Sequence, residues 1–307
     1  AAPATVAAAQ WEPRMPIRFI VPSAPGGGVD LSARIVAPKL SERLGKQVLV
    51  ENRTGGGHII ATEMVANAKP DGSTFLVITT SHNTQPLLQK LPFDPVKSFT
   101  PVAFFGDAPY VLVVNPDVPA TTVKELIALA KQKPGQLVFG TSGLGAGPHL
   151  SVELFKMMAD IDIKIVHFKG AGPALIDVLG GHSTATISSS MSALPHVRSG
   201  KIRLVANCAA KRNTIIPDTP TISEAGLPGY ASNTWWALLG PAGTPAPIVD
   251  RMSKEIKAVL ESDDVKKLFQ KAGADAQYMS PAELGKFLSD DIALWAKVVK
   301  KGNIRIE

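Results

Sequence analysis

Short apolar runs alternate along the chain with longer stretches whose apolar positions recur every three or four residues. IRFIVPS is followed by a helical pattern from Asp30 to Leu44, QVLVENR by GGGHIIATEMVANAKP, and TFLVITTS by the loop HNTQPLLQK. This βαβαβ rhythm predicts a parallel sheet with helices on its faces. Right-handed crossovers then bring the loops after successive strands to one edge. Pro38 inside the first helical pattern predicts a kink. Further on, a strand from Tyr110 to Val114 precedes a helix whose N-cap is Thr121 or Thr122, with Glu125 near capping-box spacing.

A second unit starts at LVFGTSGLGAGPHLSVELFKMMA, again a strand, a Gly-rich turn and a helix. It repeats the logic of VPSAPGGGVDLSARIV near the start without repeating its sequence. Two such units predict two α/β lobes, each presenting a helix start to a shared cleft. The Pro-containing joints VVNPDVPATT and LPGYASNTWW are the candidate crossings between lobes. Clefts between domains are common sites for small ligands.

Composition narrows the function. At 307 residues the chain can build two cores, and 45% hydrophobic with 19% charged residues is globular. Aromatics at 6% and scattered Lys and Arg, dense only at Lys297, Lys300 and Lys301, argue against a nucleic-acid surface. The net charge of +6 suits a protein that handles anions. The lone Cys208 rules out an internal disulfide and lies in an apolar run, as a buried inert thiol. No apolar run reaches the roughly 18–20 residues of a membrane span. The Ala-rich start without Met reads as the mature end left by signal-peptide cleavage, so a periplasmic location is expected.

Catalytic motifs do not emerge. GTSGLG places Gly140 and Ser142 as in a nucleophile elbow, but Leu144 takes the last glycine position. The six histidines form no metal-ligand pair at helical spacing, and neither a P-loop nor a dinucleotide fingerprint occurs. A protein without enzymatic activity, cofactor or metal is expected. What remains is donor-rich turns: Ser23 with the N–H groups from Gly26 to Val29, Thr141 and Ser142 with those from Gly143 to Gly147, and Ser81, His82 and Asn83 after the third strand. The glycine triplet Gly26–Gly28 reads either as a plain turn with φ > 0 or as an anion cradle on main-chain donors. Asp30 is an N-cap or a ligand contact. His149 is a ligand donor or a satisfied core residue. Trp235 or Trp236 stacks on a ligand or packs the core.

The chain resembles the solute-binding proteins of tripartite tricarboxylate transporters, the Bug family. The resemblance covers essentially all of it and rests on VPSAPGGGVDLSARIVAPKLSERLGKQVLVENRTGGG, ANAKPDGSTFLV, LPFDPVKSFTPVA, FGTSGLGAGPHLSVELF, FKGAGPALIDVLGGH, SALPHVRSGKIRLVA, DTPTISEAGLPGY and WWALLGPAGTPAPIVDRM. It implies a type II periplasmic-binding-protein fold of two α/β lobes joined by two crossover segments. Lobe one would hold residues 1–114 and 235–307, lobe two residues 115–234. It also implies a small carboxylate captured between the lobes and handed to a membrane permease, or shown to a sensor kinase, by a protein expected to be a monomer. The carboxylate contacts carry over to Ser23, Ala24, Gly27, Gly28 and Asp30 in the first loop, and to Thr141, Ser142, Gly143 and Ala146 in the second. Ser81, His82, His149, Lys169, Gly170, Ser188, Ser189 and Trp235 complete the expected site.

Three departures mark this chain. RTGGGHII stands where the family often has Pro-Gly-Ala-Gly-Gly. Ala146 removes a hydroxyl. Ile187, Ser188 and Ser189 stand where many members carry Phe-Asp-Ser. Serines in place of an acid favour a dicarboxylate or a terephthalate-like aromatic acid over an amino acid, whose ammonium would seek a carboxylate. Hinges are expected near Val114–Asp117 and Asn233–Trp236.

Overall fold

The computed structural model describes residues 11–302. The Ala-rich start falls outside this range, as do the last residues assigned to lobe one. The chain opens with β1 (Ile17–Val21), followed by α1 (Gly28–Leu44), β2 (Val48–Asn52), a 3-10 turn over Gly56–His58, α2 (Ile59–Ala66) and β3 (Thr74–Thr79). β1 lies between β2 and β3 and is parallel to both. Every residue of β3 is buried, as expected for a strand covered on both faces, which therefore reads as a continuous apolar run. In α1 the buried Val29, Ala33, Val36, Ala37, Leu40 and Leu44 follow the helical period. That helix continues through Pro38, which sits on the exposed side, where water can take the carbonyl that proline leaves unpaired.

The segment after β3 is not a loop. It forms the four-residue helix α3 (Ser81–Thr84) and a 3-10 turn over Gln85–Leu87. All four residues of α3 are polar and buried, so no apolar period announces it. The next strand, β4 (Phe99–Val114), is 16 residues long and begins well before Tyr110. Its first part, FTPVAFFGDAP, contains two prolines and a glycine and does not look like a strand. It pairs antiparallel with β9 (Asn233–Pro241), and its irregularities are taken up by register shifts between Pro101 and Ala103 and between Phe104 and Gly106.

The remaining elements are α4 (Val123–Gln132), β5 (Val138–Thr141), α5 (Gly147–Ala159), β6 (Lys164–His167), α6 (Ala171–Leu179), β7 (Ala185–Ser189), α7 (Ser190–Arg198) and β8 (Arg203–Asn207). After β9 come α8 (Ala246–Glu261), α9 (Asp263–Ala272), the short β10 (Asp275–Ala276) and α10 (Pro281–Gly302). Thr122 is the N-cap of α4, with a complete capping box to Glu125.

Strand order is β2-β1-β3-β9-β4-β7-β5-β6, so the sheet is mixed rather than wholly parallel. β4 joins the two halves. Up to Pro109 it pairs with β9, and from Tyr110 it pairs with β7 and β8. Each half has its own cores. Phe19, Phe75 and Trp236 lie in one core of the first half and Trp235 lies in another. Phe139, Phe155, Tyr230 and Cys208 lie in the second half. Burial pushes the Cys208 thiol up, so it stays protonated and unreactive.

Candidate functional site

Both Gly-rich turns end at one cleft between the two halves, with about 380 Å3 of empty space including its mouth. Its lining includes Ser23, Gly27, Gly28 and Val29 from the first turn and Ser142 and Pro148 from the second. Ala171, Ser189, Thr234 and Trp236 come from the walls. Among the described residues, no Lys, Arg, Asp or Glu lines it.

The first turn is held from behind. Gly26 takes φ +86°, which suits glycine, whereas the N-cap Gly27 has φ −77°. The left-handed backbone expected of the triplet therefore falls on Gly26 rather than on Gly27 or Gly28. Asp30 is the third helical residue, not the N-cap. Its Oδ2 accepts the Gly26 N–H at 3.0 Å, and its Oδ1 accepts from Arg34 Nε and Asn52 Nδ2 at 2.9 Å each. Asn52 Nδ2 also donates to the Ser23 carbonyl at 2.9 Å. The carboxylate is thus used to shape the turn, and Asp30 does not line the cleft. On the cleft side, no acceptor among the described residues takes the N–H groups of Gly27, Gly28 or Val29, the usual state of a helix start. Ser23 Oγ is sealed from solvent and has no partner among the described residues.

The second turn is held in the same way. His149 Nδ1 accepts the Gly145 N–H at 3.0 Å, and its Nε2 lies 3.6 Å from Glu153 Oε1. With both ring nitrogens turned to these partners, His149 secures the loop. The neighbouring His149 ring is the main cause holding the Glu153 carboxyl below its usual range. Thr141 Oγ1 is bonded to His167 Nδ1 at 2.8 Å, and Ala146 is the buried N-cap of α5. Of this turn, Ser142 faces the cleft, whereas Thr141, Gly143, Ala146 and His149 do not line it.

Other expected residues divide between the cleft and its surroundings. Ser81 lines the cleft. His82 lies behind it, its Nε2–H donating to the Pro95 carbonyl at 2.7 Å. Ser189 faces the cleft, but Ser188, one residue along the same strand, does not. Alternation also separates the tryptophans: Trp236 is on the cleft, while Trp235 packs against Phe104 and Phe287 in the core behind it. The stacking role expected of Trp235 therefore has no geometric basis. Lys169 and Gly170 touch the first turn instead of the lining. The Ala24 N–H donates to the Lys169 carbonyl at 2.9 Å, and a Cβ on Gly170 would come within 3.0 Å of the Ala24 nitrogen.

Tyr110, Thr79, Thr234 and His58 also line the cleft, although nothing in their local sequence marks them. Tyr110 sits where β4 changes partners, with Ser189 directly opposite. Burial pushes its phenol up to about 12, so it remains a hydrogen-bond donor. Burial likewise holds His58 down to about 4, and the ring is neutral at neutral pH. The cleft is a set of uncharged donors beside one large aromatic wall.

A sequence model described as "Tripartite tricarboxylate transporter family receptor" matches residues 32–304. Protein BugT of Bordetella pertussis is 35% identical over 298 residues, covering 96% of this chain and 91% of that protein. A solved Rhodopseudomonas palustris protein with adipate is 36% identical with a TM-score of 0.93, covering 95% of this chain and 99% of that one. MatC from the same organism, with bound malate, is 31% identical with a TM-score of 0.90, covering 94% and 99%.

Proposed function

The chain belongs to the tripartite tricarboxylate transporter receptor family, and on that footing we propose that it captures a small organic acid between its lobes in the periplasm and delivers it to a membrane permease. One observation carries this reading: two Gly-rich helix starts from different lobes meet at a single cleft lined by neutral donors. Backbone N–H groups, Ser23, Ser142 and Tyr110 can bind a carboxylate without transforming it. No base stands ready for Ser142, because His149 is committed to Gly145 and Glu153. Among the described residues no helix is long and apolar enough to cross a membrane.

The bound acid is a dicarboxylate or an aromatic acid rather than an amino acid. The lining offers no carboxylate to an ammonium, and the Asp30 carboxylate is already engaged. Trp236 supplies a flat apolar wall, and relatives hold adipate and malate. A thermal-shift panel of carboxylates, their amides and amino-acid analogues tests this. The matching acid is expected to raise Tm by about 5 °C or more at saturation. Equal shifts from the amides, or a larger one from an amino acid, would count against it.

The lobes meet at Pro109–Tyr110 and near Asn233, and closure turns on these crossings. On the first crossing this is upstream of the Val114–Asp117 segment, which is held in β4 and its following turn. Besides Ala24 and Lys169, Thr84 Oγ1 donates to the Gly145 carbonyl at 2.7 Å and Gln85 Nε2 to that of Leu144 at 2.7 Å. These bonds latch the lobes. Thr84→Val with Gln85→Leu removes two of them, each contributing about 0.5–1.5 kcal/mol, so affinity is expected to fall about tenfold. Small-angle scattering should record a larger radius of gyration for the double variant. Unchanged affinity and scattering would dismiss the latch.

A further inference from the structure

Behind the cleft lies a second cavity that shares His58, Thr79 and Ser81 with it as common walls. Its other sides are apolar at Pro22, Ile78, Leu91 and Phe93 and polar at Thr62, His82 and Gln85. Its empty space including its mouth is about 300 Å3, against about 380 Å3 for the cleft.

The two histidines that line this second cavity each carry a ring nitrogen sealed from solvent and without a hydrogen-bond partner among the described residues: His58 Nε2 and His82 Nδ1. The chemistry of His82 is determined by its other nitrogen. Nε2 must carry the proton, because it faces the Pro95 carbonyl at 2.7 Å. Nδ1 is therefore a bare lone pair, an acceptor that requires a donor. Burial holds both rings down to about 4, so neither is an imidazolium that would attract a second carboxylate. A buried acceptor left unmatched is destabilising and calls for an explanation.

His58 adds an independent observation. It stands in the left-handed region at φ +90° and ψ −9°, a conformation that costs a side chain of this size about 1–3 kcal/mol. It is one of two non-glycine residues with positive φ among those described. Glycine would occupy the position without strain. The fold instead keeps an imidazole in the wall between the two cavities.

We propose that this rear cavity is a second ligand subsite that selects organic acids bearing a hydroxyl, with His82 Nδ1 accepting the hydroxyl hydrogen bond and His58 orienting the group from the shared wall. The inference rests on the carboxylate reading of the cleft and adds the chemistry of the ligand's other end. A site built to hydrogen-bond a hydroxyl discriminates strongly against the analogue lacking it, because its own polar group is then left unmatched.

Titration calorimetry of the full chain with matched pairs tests this, using malate against succinate and 4-hydroxybenzoate against benzoate. In at least one pair the hydroxylated member is expected to bind at least tenfold more tightly. His82→Phe removes the acceptor, and His58→Gly removes the imidazole while relieving the backbone. Each should bring the ratio within that pair to about twofold or less. The glycine variant keeps the test valid if the phenylalanine variant fails to fold. Measurable but equal binding of both members by the natural protein would overturn the subsite and leave the carboxylate reading intact. A preference that survives both variants would overturn it too. Failure of every acid to bind, here and across the thermal-shift panel, would overturn both readings.

Discussion

Gly28→Ala is expected to lower ligand affinity by roughly a hundredfold and to destabilise the protein by about 1–3 kcal/mol. A Cβ at this position would lie 2.7 Å from Trp236 Cζ2, 3.0 Å from Ser189 Oγ and 3.2 Å from Ser189 Cβ. Trp236 has no room to yield: it is 1% exposed, on a strand paired on both sides by β3 and β4. Ser189 belongs to the other lobe, so the added methyl also pushes against closure. Gly27→Ala is the control. Its Cβ would be 3.6 Å from Ser23 Oγ and 3.8 Å from Ala171, an ordinary contact, and the N-cap change costs about 0.5–1 kcal/mol. Urea unfolding and calorimetry on both variants check the contrast. If Gly28→Ala binds within threefold of the natural protein, close packing of the cleft wall is not what the glycine provides.

Acid is expected to unfold the protein through its buried histidines. Burial holds His82 down to about 4, against the chain's ordinary value of 6.5. Between those values the unfolded chain binds a proton that the native ring refuses, so stability falls as pH falls from about 6.5 to about 4. One such group accounts for about 2–3 kcal/mol by pH 4.5. His58 acts in the same direction, and so does His167, though less because it is more open to solvent. Asp107 opposes them: burial, together with the nearby Asp275, pushes it up to about 6, and it stabilises the fold as pH falls through that value. His82→Gln isolates one contribution. The stability lost between pH 7 and pH 4.5 should be about 2–3 kcal/mol smaller in the variant, measured by urea unfolding. Identical losses would show that His82 is not the group responsible.

The two strand–turn–helix units, the capping box at Thr122 and Glu125 and the inert Cys208 were legible because each depends on neighbours along the chain. A Gly-rich turn that opens an amphipathic helix exposes N–H groups wherever it occurs, so the free donors of both turns could be read locally. The family resemblance rests on the same local stretches. The extent of β4 was not legible, because its prolines and Gly106 are tolerated only through register shifts against β9, a strand far away in sequence.

The side chains facing the cleft were decided by tertiary structure, since in a strand the facing reverses with every residue. Composition cannot distinguish Trp235 from Trp236, or Ser188 from Ser189; the register against β3, β4 and β7 does. Asp30 looked like a cap or a ligand contact until Arg34, Asn52 and Gly26 took up its oxygens. The sequence by itself therefore determined which turns carry free main-chain donors, because those follow from helix starts and turn chemistry. Only the packed molecule decided which side chains face the cleft, with an uncharged His58 in its wall and an uncharged His82 behind it, because burial and pairing come from residues that meet only after folding.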